Sequence, residues 1–262
     1  MRAMVRDLAK TPHGVDVVQG DFERPGTLEV ALDGVERAFL LTPNVERQEV
    51  LEGNFIDAAK RAGLQQLVKM SAIGPGPDSP VELLRAHGRM EERLAASGLT
   101  HTVLRPHSFM QNMLGSAGSI AGEGVFYGCR GEGRIGLVDV RDIAAVAARA
   151  LTDDGHEGKT YVITGPESLS CADLAARLSV TAGREVRYID VPADGLRQGL
   201  LGAGLPPLLA NGIVELDLWF AEGGGDIVTS TVQDVTGKPA RSFDEFARDH
   251  ASVFKGGVES TD

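Results

Sequence analysis

Cysteine is scarce in this sequence: of 262 residues, only Cys129 and Cys171 carry a thiol. The two are far apart and form no Cys-x-x-Cys pair, so the chain lacks the spacing of a disulfide framework or of a zinc site. No other cluster of His, Cys, Asp and Glu has the spacing of metal ligands. We therefore expect two reduced thiols and no metal centre.

Basic residues are too few to neutralise a nucleic acid. The chain carries 26 Lys and Arg against 37 Asp and Glu, a formal net charge of −11. A protein that binds phosphates along DNA or RNA needs a basic face, so we expect no nucleic-acid partner. The sequence also lacks an apolar run of about 18 residues, the length of a membrane helix. Residues 1–10 lack the apolar core of a signal peptide. We expect a soluble, cytoplasmic protein with no membrane partner.

Short apolar runs alternate with segments of helical periodicity in the first part of the chain. Four runs indicate buried strands: 15–18, 37–41, 66–70 and 102–105. Three helical patterns lie between them: 26–32, 47–62 and 80–96. Strands that alternate with helices at this spacing form βαβ units, which predicts a doubly wound parallel sheet of the Rossmann-like α/β class.

The second part of the chain is less regular, and residues 115–136 are rich in glycine without a sustained period. The remaining patterns indicate helices at 139–151, 170–178 and 243–254, strands at 159–164 and 185–190, and two loosely defined helices within 193–224. We expect one domain. Its parts are a truncated Rossmann core over about 1–150, a segment over about 151–254 that is mostly a small α/β substrate lobe, and a disordered tail at 255–262.

Seven segments carry a resemblance through their order and spacing, although no single one is specific. They are Val5-Arg6-Asp7, Gln19-Gly20-Asp21-Phe22, Leu40-Leu41-Thr42-Pro43-Asn44, Val68-Lys69-Met70-Ser71-Ala72, His87-Gly88-Arg89-Met90-Glu91, Leu104-Arg105-Pro106 and Val138-Asp139-Val140-Arg141-Asp142-Ile143-Ala144. Together they resemble the NmrA-like family of atypical short-chain dehydrogenases/reductases, which includes quinone, azo-dye and triphenylmethane-dye reductases. The resemblance covers almost the whole chain.

This resemblance implies an NAD(P)H-dependent oxidoreductase that transfers hydride to a quinone-like or conjugated small molecule. NADP is the expected cofactor, and NAD is possible. Two alternatives stay open: a regulatory protein that senses NAD(P) without turnover, and a truncated paralogue that binds no nucleotide. The sequence does not choose the acceptor or the oligomeric state.

The glycine-rich turn of the family is missing. Relatives open with a strand, a G-x-x-G-x-x-G turn and a helix, whereas this sequence begins inside the second strand, so we expect about 25–30 further residues upstream. A mis-assigned translation start is the explanation we favour over a truncated paralogue. Loss of a central strand removes about ten ladder hydrogen bonds of about 0.5–1.5 kcal/mol each. A domain has only about 5–15 kcal/mol of stability, so we expect this chain not to fold alone into an ordinary member.

The resemblance assigns the adenosine half of the cofactor to two places. Arg6 would contact the 2′-phosphate, which favours NADP over NAD, and Asp21 and Phe22 would contact the adenine. The alternative interpretations are a surface arginine and a turn that leads into a helix.

The carboxyl edge of the sheet supplies the next candidates, because open α/β sheets bind ligands there. Leu41, Thr42, Pro43 and Asn44 follow a predicted strand, and their backbone and hydroxyl groups should line the dinucleotide. A proline-containing turn with Asn44 as a helix cap is compatible with the same residues.

The catalytic candidates are Ser71 and His87. Met70 and Ser71 end a strand at which the short-chain superfamily places a catalytic or cofactor-positioning serine. None of the 3 tyrosines is followed by a lysine four residues later, so the superfamily's Tyr-x-x-x-Lys proton relay is absent. His87 stands where relatives carry lysine or histidine, and it could fix the ribose or donate a proton to the reduced acceptor. Glu91, at i+4, could orient it, or the two could form a structural pair.

The segment after the strand at 102–105 completes the expected site. In relatives this loop covers the nicotinamide, so Pro106 and Phe109 are candidate cofactor contacts, although Phe109 and Met110 could equally belong to the core. Asp139 and Asp142 indicate helix capping.

Overall fold

The computed structural model of the chain describes residues 1–10 and 14–255. These residues form eight strands and eleven α-helices, with 3₁₀ turns at Leu8–Lys10 and Met110–Ser116. The strands are β1 (Arg2–Val5), β2 (Asp16–Gln19), β3 (Arg37–Leu40), β4 (Gln66–Met70), β5 (His101–Pro106), β6 (Val125–Gly128), β7 (Thr160–Ile163) and β8 (Arg187–Asp190). The helices are α1 (Pro25–Leu32), α2 (Gln48–Arg61), α3 (Glu82–Ser97), α4 (Ala117–Glu123), α5 (Val140–Thr152), α6 (Cys171–Ala182), α7 (Ala193–Gly202), α8 (Pro207–Ala221), α9 (Thr231–Thr236), α10 (Phe243–Asp249) and α11 (Ala251–Lys255).

The strands form three parallel ladders. The central sheet has the order β3-β4-β5-β7, while β1-β2 and β6-β8 are separate two-stranded ladders. Leu40 pairs with Lys69 and Met70 pairs with Leu104, so β3, β4 and β5 end at one edge of the sheet. Parallel strands joined by helices confirm the predicted Rossmann-like α/β class.

Strand β4 lies at the centre of this sheet and is covered on both faces. On one face Leu67 packs in a core that α1, α2 and α3 complete, and on the other Val68 packs against α5. Both side chains are fully buried at 0% exposure, and each burial contributes about 1.5–3 kcal/mol. A strand buried on both faces is expected to be continuously apolar. Lys69 breaks that pattern, and its partner lies in the site below.

A carboxyl-terminal lobe has its own core. The ladder β6-β8 packs there with α4, α6, α10 and α11, around Phe126, Leu174, Phe220, Phe243, Phe246 and Phe254. Because β7 pairs with β5 in the central sheet whereas the earlier α4 and β6 lie in the lobe, the chain crosses between the two units. Residue 150 is therefore not a structural boundary between them.

Three helix starts agree with the predicted caps, whereas the carboxyl-terminal helix differs from its prediction. Ser170 and Ser242 both form capping boxes, and Asp139 caps α5 by accepting from the Arg141 amide. The single helix predicted over 243–254 is wrong, because the chain breaks at His250 between α10 and α11. Beyond that break Phe254 packs beside Phe246, with ring centroids 6.3 Å apart, which anchors α11 in the lobe core. Lys255 ends α11, and the rest of the predicted tail lies outside the described residues.

Three short elements were not predicted: α4 and β6, inside the glycine-rich segment, and α9. Each has seven residues or fewer, too short to show a sustained period. No helix in the described ranges is long and apolar enough to cross a membrane.

Candidate active site

A cleft of about 390 Å³ opens at the carboxyl ends of β3, β4 and β5. Its wall is formed by Leu41, Thr42, Pro43, Asn44, Met70, Ser71, Ala72, Ile73, Leu83, Leu84, His87, Pro106, His107, Ser108, Phe109, Asn112 and Leu216. The volume falls in the range of small-molecule sites, and the position is the one at which open α/β sheets bind ligands.

Nine of the predicted site residues meet in this cleft: Leu41, Thr42, Pro43, Asn44, Met70, Ser71, His87, Pro106 and Phe109. They come together because parallel strands present their carboxyl ends at a common edge. Sequence reasoning missed the apolar wall that α3 and α8 supply, which includes Leu83, Leu84 and Leu216. The residues at the strand ends do not indicate which helix packs over them, because that helix comes from another part of the chain.

The three residues predicted for the adenosine half lie outside the cleft wall. Arg6 is exposed just beyond β1, where its carbonyl oxygen accepts from Gln19. Asp21 follows β2 and accepts from the backbone N–H of Glu23. Phe22 packs edge-on against Phe55, with ring centroids 5.4 Å apart. The structure thus places Arg6, Asp21 and Phe22 at the carboxyl ends of β1 and β2.

His87 lies on α3 with only 7% of its surface exposed. Burial lowers the pKa of His87 from 6.5 to about 3, and the positive charge of Lys69 lowers it further. The ring is therefore neutral at physiological pH and has one N–H to donate. Its Nδ1 atom is buried without a hydrogen-bond partner in the described part of the chain. An unsatisfied buried nitrogen costs about 1–3 kcal/mol.

Glu91 does not orient His87, so that prediction is wrong. The Glu91 carboxylate instead accepts from the hydroxyl of Ser71 and from the guanidinium of Arg105, whose Nε lies 3.1 Å from Oε1. The i+4 spacing does place the two α3 residues on one face. Arg105 on β5 outcompetes a neutral imidazole for the carboxylate because it offers a charged, two-pronged donor.

A buried ion pair lies beneath the cleft, and sequence reasoning assigned it no role. Lys69 Nζ lies 2.7 Å from Glu52 Oε2 and 3.0 Å from the Met70 carbonyl oxygen. The other oxygen of Glu52 accepts from the Thr42 hydroxyl at 2.6 Å and from Gln48 at 3.3 Å. The Thr42 hydroxyl therefore points into the protein, which leaves its backbone to face the cleft. The sequence did hold a signal for this pair: Lys69 interrupts the apolar run of β4, and a lysine at a buried position needs a partner of opposite charge.

His107 is the second buried histidine of the wall, but both of its nitrogens are satisfied. Nε2 donates to the Gly225 carbonyl oxygen at 2.9 Å, and Nδ1 accepts from the Ser108 amide at 2.6 Å. Burial lowers the pKa of His107 to about 4. Its ring stacks on Phe220 with centroids 5.3 Å apart, so it joins the sheet edge to the lobe.

The contacts also answer three structural questions that the sequence left open near the site. Asn44 is not a helix cap, because α2 begins at Gln48 and its N-cap position is Arg47. Phe109 is half-buried in the cleft wall, whereas Met110, 1% exposed, belongs to the lobe core. Asp142 binds Arg241 near α10 rather than capping α5.

Helix α8 holds the cleft-facing end of α3. The N-cap of α3 has no side-chain hydrogen bond of its own, and Glu215 of α8 accepts from the Glu82 amide at 2.8 Å. A carboxylate at a helix N-terminus also complements the helix dipole. Since Leu216 follows in the cleft wall, the lobe both supports and closes the site.

Comparison with known proteins identifies the chain. A family model described as NAD(P)H-binding matches residues 1–154. The chain belongs to this NAD(P)H-binding family. The resemblance to NmrA-like reductases is confirmed, since relatives of that kind align over nearly the whole chain.

Two relatives and one solved structure are similar to this NAD(P)H-binding protein. An NAD(P)H azoreductase of Xenophilus azovorans is 43% identical over 260 residues, which cover 97% of this chain and 90% of the relative. Quinone oxidoreductase 2 of Escherichia coli is 33% identical over 248 residues, which cover 93% of this chain and 86% of the relative. The crystal structure of an Escherichia coli NADPH-dependent quinone oxidoreductase with NADPH superimposes with a TM-score of 0.89 at 32% identity, over 96% of this chain and 90% of that one.

The cleft of this NAD(P)H-binding protein has the lining of a small-molecule site. Its walls are largely apolar, which suits a planar ring. Ser71 and His87 supply the hydroxyl and imidazole at the wall.

Proposed function

We propose that this chain is an NADPH-dependent oxidoreductase that reduces a quinone-like or conjugated small molecule. The cleft carries the proposal. It lies at the ligand-binding edge of an NAD(P)H-binding protein and joins a largely apolar wall to the neutral imidazole of His87. The relatives named for azo and quinone reduction support this acceptor class.

The cofactor is held along the carboxyl edge of the sheet. Leu41–Asn44, Met70, Ser71, Pro106 and Phe109 line the nicotinamide half. Arg6, Asp21 and Phe22 hold the adenosine half, where the positive charge of Arg6 favours the 2′-phosphate of NADP. NADPH supplies a hydride when bound, and one proton from water completes the two-electron reduction of a quinone to a hydroquinone.

His87 acts on the acceptor through its single N–H. Hydride addition to a quinone places negative charge on a carbonyl oxygen, and a fixed hydrogen-bond donor in a largely apolar cleft stabilises that charge. Because the imidazole is neutral, it donates a hydrogen bond rather than an imidazolium proton. This chemistry suits a chain without the tyrosine–lysine relay.

The test is calorimetric titration with NADPH and NADH, followed by NADPH oxidation in the presence of 1,4-naphthoquinone. The titration is run on this chain and on a form that carries additional upstream residues. Tight NADPH binding with quinone-dependent oxidation is the expected result. Binding without oxidation of any acceptor would favour a dinucleotide sensor, and failure of both forms to bind would overturn the proposal.

A further inference from the structure

The hydroxyl of Ser71 has a fixed polarity. Ser71 directly follows β4, is 4% exposed and lies in the cleft wall. Its hydroxyl donates to Oε1 of Glu91. A carboxylate only accepts hydrogen bonds and a serine has a single hydroxyl proton, so that proton is committed to Glu91.

The Glu91 carboxylate is itself held in place. Arg105 on β5 donates from Nε to Oε1 at 3.1 Å and from Nη2 to Oε2, a fork that fixes the plane of the carboxylate. The backbone of Ser71 is fixed as well, since its N–H donates to the Leu104 carbonyl oxygen at 2.7 Å. Neither the serine nor its partner can turn without breaking a bond to β5.

The lone pairs of the Ser71 oxygen have no donor among the described residues. Ser71 can therefore only accept a hydrogen bond from a ligand in the cleft. A quinone offers carbonyl oxygens, which also only accept. The nicotinamide riboside half of NADPH offers donors, namely the carboxamide N–H₂ and the ribose hydroxyls.

We propose that Ser71 accepts a hydrogen bond from the nicotinamide riboside half of NADPH, and that Glu91, clamped by Arg105, is the positioning residue that fixes this polarity. The inference rests on the proposed function and refines it. Each ligand then has its own polar partner in the wall. The His87 N–H donates to the acceptor, and the Ser71 oxygen accepts from the cofactor. Ser71 supplies no proton to the reaction.

The experiment measures dissociation constants through quenching of the single tryptophan, Trp219, which packs beside Leu83 and Leu84 of the cleft wall. Of the two forms of the protein titrated with NADPH to test the proposed function, the experiment uses the one that binds NADPH. Three ligands are compared: NADPH, its reduced 3-acetylpyridine analogue, which replaces the carboxamide N–H₂ by a methyl group, and 2′,5′-ADP, which lacks the nicotinamide riboside. Failure of the wild type to bind NADPH contradicts the proposed function itself, before Ser71 is tested.

Ser71→Ala supplies the decisive comparison. The wild type should bind NADPH about tenfold more tightly than the analogue, and Ser71→Ala should lose this preference while its affinity for 2′,5′-ADP stays unchanged. If Ser71→Ala weakens NADPH and the analogue equally but spares 2′,5′-ADP, the donor is a ribose hydroxyl and the accepting role stands. Unchanged NADPH binding, or an equal loss for 2′,5′-ADP, overturns the proposal.

Glu91→Gln tests the positioning role, with the exposed neighbour Glu92→Gln as its matched control. A neutral amide no longer obliges Ser71 to donate, so Glu91→Gln should reduce the preference for NADPH over the analogue several-fold. Glu92→Gln should keep it. Equal preferences in the two variants and the wild type would show that Glu91 does not set the polarity.

Discussion

Lys69 and Glu52 form an ion pair of 2.7 Å with 0% and 1% of their side chains exposed. The pair joins β4 to α2 directly under the cleft, and Thr42 and Gln48 complete the bonds of Glu52. Taking two charges out of water is costly, so such a pair matters most when one partner is lost. It also places a cation close enough to His87 to lower the pKa of that ring.

Removing Lys69 alone should destabilise the fold strongly. Lys69→Met leaves Glu52 buried without a cation, and we expect a loss of about 3–5 kcal/mol in the free energy of unfolding, measured by urea denaturation. Lys69→Met combined with Glu52→Gln removes both charges while keeping an acceptor for Thr42, so the double variant should be more stable than Lys69→Met. A single variant as stable as the wild type would contradict this view of the pair.

The buried histidines predict a loss of stability in weak acid. In the folded chain the pKa of His87 is about 3 and that of His107 about 4, both lowered from 6.5 by burial. As the pH falls below about 6.5, these histidines take up protons in the unfolded chain but not in the folded chain. The free energy of unfolding is therefore highest above about pH 6.5 and decreases as the pH falls from 6.5 towards 4. Each histidine should cost about 2 kcal/mol between pH 7 and pH 5. Urea unfolding across this range checks it, and His87→Gln should remove about half of the dependence.

Turnover should depend on the N–H of His87. His87→Leu removes the donor and should lower kcat for a quinone about a hundredfold, whereas His87→Gln keeps an N–H and should lose less. His101→Gln, at the far end of β5, is the control and should keep the wild-type kcat. Because His87 stays neutral, kcat should show no inflection near pH 6.5. An inflection there that vanishes in His87→Gln would refute the hydrogen-bonding role.

Helix α3 lies so close to the preceding loop at Gly88 that a single added methyl group there should lower the stability of the fold. A Cβ on Gly88 would lie 2.8 Å from the backbone nitrogen of Gly76 and 2.9 Å from its Cα. Gly88→Ala should therefore cost about 1–3 kcal/mol and shift the neighbouring His87. Gly199→Ala is the control: that α7 position has open space, so the variant should gain about 1 kcal/mol through helix propensity. Thermal unfolding of both variants separates the two effects.

Cofactor preference should depend on Arg6. Arg6→Gln removes the charge proposed to meet the 2′-phosphate, so the ratio of NADPH to NADH affinity should fall about tenfold or more. The loss should come from weaker NADPH binding, with NADH binding unchanged. Arg187→Gln, an exposed change on β8 in the lobe, is the matched control and should keep the ratio. An unchanged ratio in Arg6→Gln would remove Arg6 from the cofactor site.

The sequence by itself determined the fold class, the family and the edge at which the cleft lies. Alternating strand and helix periods are local properties, and they predicted β3, α2, β4, α3 and β5 to within a few residues. Once those strands are parallel, their carboxyl ends must meet. Together with the family resemblance, this grouped Leu41–Asn44, Ser71 and Pro106 at one edge.

Tertiary structure decided how the polar side chains pair. Glu91 had a local partner in His87, one turn away, yet it binds Arg105 and Ser71 from two different strands. Lys69 likewise finds Glu52 on α2, and Glu215 of α8 completes the N-terminus of α3. Buried charges take the partner whose geometry and charge best offset the loss of water, and packing brings that partner from a distant part of the chain. Sequence periodicity reports only neighbours within a turn or two, and for that reason it located the site but not its hydrogen bonds.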